Sequence, residues 1–218
     1  MAKKVVGIDI DFSGIKATEV TRKGRINMVT KMGRSGLPAG TVVDGKVANV
    51  RDLHKGLERL LKEQAIAGGS AVLGLRSSWV TVKTHRFPAM SKRELEKALE
   101  FEIPELVSFP IHSLDDVYYD YFINLTDDQG LEVVVVACPR DNVLPYIEAV
   151  RAAGLVLEAV DVPAFGWREL IEGEGRRAYV EISEEQTTVQ VSIGGVFKVL
   201  RVIPMGAISV RQGVAEAF

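Results

Sequence analysis

Five residues in one short stretch could meet an anion or its counter-ion. In GIDIDFSGIKATEV, residues 7–20, they are Asp9, Asp11, Ser13, Gly14 and Lys16. The β-branched runs KVVGIDI (4–10) and IKATEVT (15–21) predict a strand, a tight turn and a second strand. In such a turn, consecutive backbone N–H groups can point at a phosphate, and glycine admits the anion without a side chain in the way. Gly14 keeps part of the turn flexible, Ser13 offers a hydroxyl and Lys16 a positive charge. Asp11 works against this chemistry, because a carboxylate beside the amides repels the same anion. A second turn of this kind lies in VEISEEQTTVQV, residues 180–191, and is more acidic still, with Glu181, Ser183, Glu184 and Glu185.

Little else in the chain could do chemistry. The sequence contains no GxSxG, HExxH, CxxC or Walker motif, and no catalytic residue is expected. His54, His85 and His112 are far apart, and none has a cysteine or paired carboxylates at ligand spacing, so no metal site is expected. The single cysteine, Cys138 in VVVVACP, reads as a small buried hydrophobe; a disulfide framework is excluded and a reducing compartment is favoured.

The 218 residues are 47% apolar and 26% charged, with net charge −2, as in an ordinary globular protein. No basic face is implied overall, so nucleic acid is not an expected partner. No apolar run approaches the ~20 residues of a membrane span. The N-terminus runs from two lysines straight into a strand, without the apolar region of a signal peptide. These features predict a cytoplasmic protein that reaches a membrane only through a partner.

The elements around the two turns follow from periodicity. RINMVTKM (25–32) predicts a third strand, and GRSGLPAGTVVDGKV a loop with a short hairpin at Asp44–Gly45. Leu53, Leu57, Leu60 and Leu61 fall on one helical face in residues 50–66, which should end near Gly68–Gly69; AVLGL (71–75) is a buried strand. Next comes β-α-β-β-α-β over residues ~79–160, read as one small lobe. Its first helix starts at a capping box, Ser91 with Glu94, and Pro104 should end or kink it. Three strands and a helix close the chain, repeating the opening architecture. Strands 177–202 should expose apolar residues such as Val180, Ile182, Val189, Val191 and Val199 on one face, or pair with another chain.

Five motifs in this order carry a family resemblance: GIDIDFSGIKATEV, LPAGTVVDGKVAN, THRFPAMSKRELEKALEFEIPELVSFP, VVVVACPRDNVLPYIEAVRAAGLVLEAVDVPAFG and RVIPMGA. Together they resemble the actin-like ATPase superfamily and, within it, the PilM family of type IV pilus assembly proteins, relatives of the cell-division protein FtsA. The resemblance implies an α/β fold of actin-like (ribonuclease H-like) type. Residues 1–78 and 161–175 would form subdomain 1A, residues 79–160 the inserted subdomain 1C, and residues 176–218 the incomplete start of a second half. Family chains run on for over a hundred further residues, so this sequence is expected to be a fragment or a short relative.

By the same resemblance, Asp9, Asp11, Ser13, Gly14, Lys16, Glu181 and Ser183 stand at the two phosphate loops of an ATP/Mg cleft, but several depart from the pattern. Asp11 stands where the family has glycine, Phe12 for a small hydroxyl residue, Glu181 for aspartate and Ser183 for glycine. With the loops facing each other, Asp9, Asp11, Glu181, Glu184 and Glu185 would crowd one site with only Lys16 to offset them. Two like charges ~4 Å apart repel by about 4 kcal/mol at an effective dielectric of ~20. A 10 μM complex is worth only about −7 kcal/mol. The cleft therefore reads as degenerate, with Mg²⁺ able to offset part of the repulsion.

The implied function is a cytoplasmic scaffold of type IV pilus assembly. It would bind the cytoplasmic N-terminal tail of a PilN-like inner-membrane protein as an extended peptide between 1A and 1C, and link it to the pilus assembly machinery. Apolar corners at Phe87–Pro88–Met90 and Phe109–Pro110–Ile111 suit such a seat, and equally suit a hydrophobic staple beside the Ser91 cap. Two alternatives stand beside it: an active actin-like ATPase, and the cytoplasmic platform domain of a type II secretion system.

Overall fold

The computed structural model describes residues 3–11, 14–43, 45–170 and 175–217. In chain order the elements are β1 (Lys3–Ile10), β2 (Gly14–Lys23), β3 (Ile26–Gly36), β4 (Val42–Val43), β5 (Lys46–Val47), α1 (Val50–Glu63), β6 (Ser70–Gly74), β7 (Thr81–Phe87), α2 (Lys92–Leu106), β8 (Val117–Asp127), β9 (Gly130–Pro139), α3 (Arg140–Ala152), β10 (Val156–Asp161), α4 (Pro163–Leu170), β11 (Arg176–Ile182), β12 (Thr187–Ile193), β13 (Val196–Ile203) and α5 (Ala207–Ala217). They form two bodies: the chain up to Trp79 with Cys138–Val162, and Val80–Ala137 with the chain from Pro163 onward.

The first body is a five-stranded sheet of order β10-β6-β1-β2-β3. β1 and β2 pair as an antiparallel hairpin, while β6 lies parallel to β1 on its other side. α1 covers the sheet with the predicted leucine stripe; Leu53, Leu57 and Leu60 are fully buried. The Asn49 side chain caps α1, accepting from the Asp52 N–H at 3.1 Å. The helix ends at Gln64, before the Gly68–Gly69 pair, and Ala65 takes up φ +50 instead. β3 also outruns its prediction, continuing through Gly33–Gly36. Arg59 of α1 holds that extension, donating to Ser35 Oγ at 2.6 Å and to the Gly36 carbonyl at 2.8 Å.

The expected lobe over 79–160 is corrected here. β10 does not join β7, β8 and β9; it pairs in parallel with β6, with Val156 opposite Ser70 and Asp161 opposite Gly74. Val143, Tyr146, Ile147 and Val150 of α3 are buried. The Tyr146 hydroxyl donates to the Gly45 carbonyl at 3.1 Å, and its ring lies 5.2 Å from that of Trp79.

The second body has a sheet of order β7-β9-β8, with α2 laid on it through Leu95, Leu99 and Ile103, all fully buried. The predicted capping box is present: the Ser91 N–H donates to Glu94 Oε2 at 2.8 Å. Pro104 lies inside α2, which stops soon after at Leu106. α4 clusters with this body. Phe165 of α4 packs its ring 5.5 Å from Phe122 and 5.6 Å from Phe197. Asn124 of β8 ties the last sheet to the same body, bonding the Phe197 backbone through both its amide nitrogen and its oxygen.

The last sheet, β11-β12-β13, repeats the opening meander. It is inverted in polarity. Thr188, Gln190 and Ser192 of β12 are buried, while Val180 and Ile182 on the opposite face are 59% and 65% exposed. The predicted exposure of an apolar face is therefore present at those two residues; Val189, Val191 and Val199 are half-buried.

One buried charge escaped the sequence reading. Glu19 of β2 is 3% exposed at its side chain, accepts from Thr30 Oγ1 at 2.7 Å, and lies 3.6 Å from Lys4 Nζ and 4.0 Å from Lys31 Nζ. The Thr30 hydroxyl holds its pKa down, burial opposes this, and the two lysines add to the lowering. A carboxylate with a depressed folded pKa stabilises the fold fully above its unfolded pKa and loses that contribution as pH falls through the folded value. Glu19→Gln is expected to cost about 1–3 kcal/mol at neutral pH. The difference from the wild type, read from urea midpoints, should shrink below about pH 4.

Candidate functional site

The two phosphate-loop candidates lie one in each body. In the first, β1 delivers Asp9 and the following turn Asp11, while β2 begins at Gly14 and carries Lys16 opposite Asp9 in the ladder. The Lys16 ammonium lies 3.2 Å from Asp9 Oδ2 and 3.4 Å from Asp11 Oδ2. Burial pulls its pKa down, but the charges and hydrogen bonds of Asp9 and Asp11 outweigh this and raise it. The Gly14 N–H donates to Asp11 Oδ1 at 3.0 Å, and the Asp11 N–H donates to the Gly14 carbonyl at 2.9 Å. The aspartate the sequence singled out thus bonds the amide of Gly14 and shares the lysine. Ser13 and Phe12 lie outside the described residues.

Gly14 also has a packing role, and its φ is not positive. A Cβ there would sit 2.4 Å from the Ser35 carbonyl oxygen of β3, so glycine is needed for β2 and β3 to approach.

The second loop joins β11 to β12. The Ser183 N–H and Oγ both donate to the Gln186 carbonyl at 2.9 Å, closing the turn. The first amides of α5 are spent on this turn. Ala207 N–H donates to Ser183 O and Ile208 N–H to Glu184 O, each at 2.9 Å. Glu181 stands on β11 opposite Thr188 and is exposed. Two residues here were missed. Arg211 pairs with Glu184, so the acidic second loop has a cation of its own. Gly206 lets α5 approach the turn, since a Cβ there would lie 2.4 Å from Ser183 O and 2.6 Å from Gln186 N. The Met-Gly-Ala start of α5 was a visible cue for it.

In the first loop the Gly14 donor holds a carboxylate and the lysine is neutralised by two aspartates; in the second, the helix N-terminus donates to carbonyls. No group of three or more His, Cys, Asp or Glu side chains placed to hold a metal ion occurs among the described residues. The apolar corners of the second body serve its core: Phe87 is buried, and Met90, Phe109 and Ile111 pack against Leu95, Leu99 and their neighbours. No described helix is long and apolar enough to cross a membrane.

The mixed α/β sheets and their element order are those of an actin-like (ribonuclease H-like) fold. The structure of a PilM-PilN type IV pilus biogenesis complex superposes with a TM-score of 0.85 at 24% identity, covering 98% of this chain and 65% of that one. The chain therefore spans just under two thirds of that relative. The cytoplasmic domain of EpsL, an inner-membrane component of the type II secretion system of Vibrio cholerae, matches with a TM-score of 0.57 at 14% identity, over 93% of this chain and 71% of that one. Ethanolamine utilization protein EutJ from Carboxydothermus hydrogenoformans matches at 0.52 and 14%, over 97% and 56%. The family model for type IV pilus assembly protein PilM matches residues 7–209, and the chain belongs to that family.

Proposed function

We propose that this chain is the recognition part of a type IV pilus assembly scaffold, and that it binds the cytoplasmic tail of a PilN-like inner-membrane protein without turning over nucleotide. The observation that carries the reading is the Asp11 carboxylate on the Gly14 N–H with Lys16 held between Asp9 and Asp11. A triphosphate would have to displace a carboxylate from the amide and share a lysine already paired twice. The partner is supported by family membership and by the likeness to a PilM solved together with PilN. An extended tail suits a protein whose work is assembly, because main-chain hydrogen bonds give affinity and alternate side chains give specificity. The chain would then stand on the cytoplasmic side, brought to the membrane by that partner.

Thermal shift on the full-length protein tests both parts. Millimolar MgATP is expected to leave Tm unchanged, and a synthetic PilN-like tail peptide to raise it. A ligand present at about 100 times its Kd would add about 2.7 kcal/mol, a shift of roughly 5–10 °C for a protein of this size. Asp11→Gly frees the Gly14 amide and half of the lysine, and should give MgATP a measurable shift. A wild-type Tm that rises with MgATP and ignores the peptide would reverse the assignment.

A further inference from the structure

We propose that the tip of the β2–β3 hairpin docks directly on an anionic lipid surface. Arg22 to Thr30 form an unbroken run of nine exposed residues, and they include Ile26 (65% exposed), Met28 and Val29 (59%). Three cations, Arg22, Lys23 and Arg25, lie among these apolar side chains. No Asp or Glu occurs from Val20 to Val43, in a chain whose net charge is −2. Single exposed apolar residues are ordinary on a protein surface. Three within four positions of a hairpin tip, flanked along the chain only by positive charge, are not. The tip has a defined shape: Lys23 pairs with Ile26 across a turn in which Gly24 takes φ +62, and Arg22 Nε donates to the Gly24 carbonyl at 3.1 Å. It is rooted at Thr21 and Glu19, both buried.

The same features disfavour protein occupants. β3 ends its sheet, which would invite an added strand. However, the ladder slips between Glu19 and Val20, so Lys31 and Val29 are paired and Thr30 is the extra residue. The Thr30 hydroxyl is occupied by Glu19. Such a bulge breaks the edge where an added strand would need it continuous. A second copy of the chain would bring the same cations face to face. A lipid surface needs neither an unbroken edge nor a matched shape. It offers negative charge to Arg22, Lys23 and Arg25 and an apolar layer to Ile26, Met28 and Val29, reached about 5–10 Å below the headgroups. Each cation near an anionic surface multiplies binding about fivefold, so three give about a hundredfold.

Co-sedimentation of the full-length protein, without any partner, with vesicles of phosphatidylglycerol and phosphatidylcholine or of phosphatidylcholine alone tests this independently of the scaffold reading. The wild type should pellet with the anionic vesicles only, and less so as salt is raised. Arg22→Glu with Lys23→Glu and Arg25→Glu should weaken binding at least about a hundredfold. Ile26→Ser with Val29→Ser should weaken it about tenfold. All five positions are exposed, so an unchanged thermal melt shows that the variants fold. Wild type left in the supernatant with both vesicles, or variants that pellet as the wild type does, would overturn the proposal and leave the cationic tip to an acidic protein segment.

Discussion

Gly130→Ala is expected to lower the unfolding free energy of this protein by about 4 kcal/mol. Gly130 opens β9 at φ +114, a conformation that L residues occupy only at a cost of about 1–3 kcal/mol. A Cβ there would also lie 2.1 Å from the Phe87 carbonyl oxygen at the end of β7. That atom is backbone and cannot swing away as a side chain would. Moving it pulls on the Phe87–Leu131 pairing and on the core beneath, where Phe87, Leu131, Leu95 and Leu99 are buried together. Overpacking of this kind adds about 1–3 kcal/mol. For a chain of this length each kcal/mol lowers Tm by about 2–4 °C, so a fall of roughly 8–16 °C should appear in a thermal melt. A variant melting within about 3 °C of the wild type would mean that the turn has room the structure does not show.

Gly206→Ala has a comparable local effect and a different signature. Its Cβ would lie 2.4 Å from Ser183 O and 2.6 Å from Gln186 N, both backbone. Relief requires α5 to lift off the β11–β12 turn, breaking the Ala207 and Ile208 hydrogen bonds and the Arg211–Glu184 pair. Nearly all of α5 is exposed, including Val210 and Val214, so few buried contacts resist the lift. The loss should therefore appear as local opening rather than a large Tm change. Hydrogen exchange at the amides of Ala207 and Ile208 is expected to quicken by about a hundredfold, equivalent to about 2.7 kcal/mol, while Leu99 and its neighbours keep their protection. Unchanged exchange at α5 would show that the clasp does not hold the helix.

Much of the local structure is legible in the sequence. The α1 stripe, the Ser91–Glu94 capping box, the hairpins at β1–β2 and β8–β9 and the closing meander all follow from patterns a few residues long. The two loops of the candidate site could be located the same way, since turn residues between β-branched runs are a local signal. What they do could not. A carboxylate at position 11 can repel an anion or replace it, and the choice depends on whether its oxygen reaches the Gly14 amide. Glu19 shares the inward face of β2 with Ile15 and Ala17, and nothing in the sequence names what would satisfy a carboxylate there. It is buried because Thr30 and Lys31 arrive from β3 to meet it.

The inserted lobe shows where pattern gives out. Residues 79–160 read as one β-α-β-β-α-β unit because each element is correct and their order is familiar. β10 left that unit because its partner, β6, lies more than eighty residues earlier, and nothing in VLEAVD names the strand it will pair with.

From the sequence alone came the elements, their caps, the family and the acidity of both turns, because these depend on residues that are neighbours along the chain. The tertiary structure alone decided which sheet claimed β10, why positions 14, 130 and 206 must be glycine, and that Asp11 bonds the Gly14 amide. Those outcomes rest on distances between groups far apart in sequence, and hydrogen-bond and steric energies change sharply over less than an ångström.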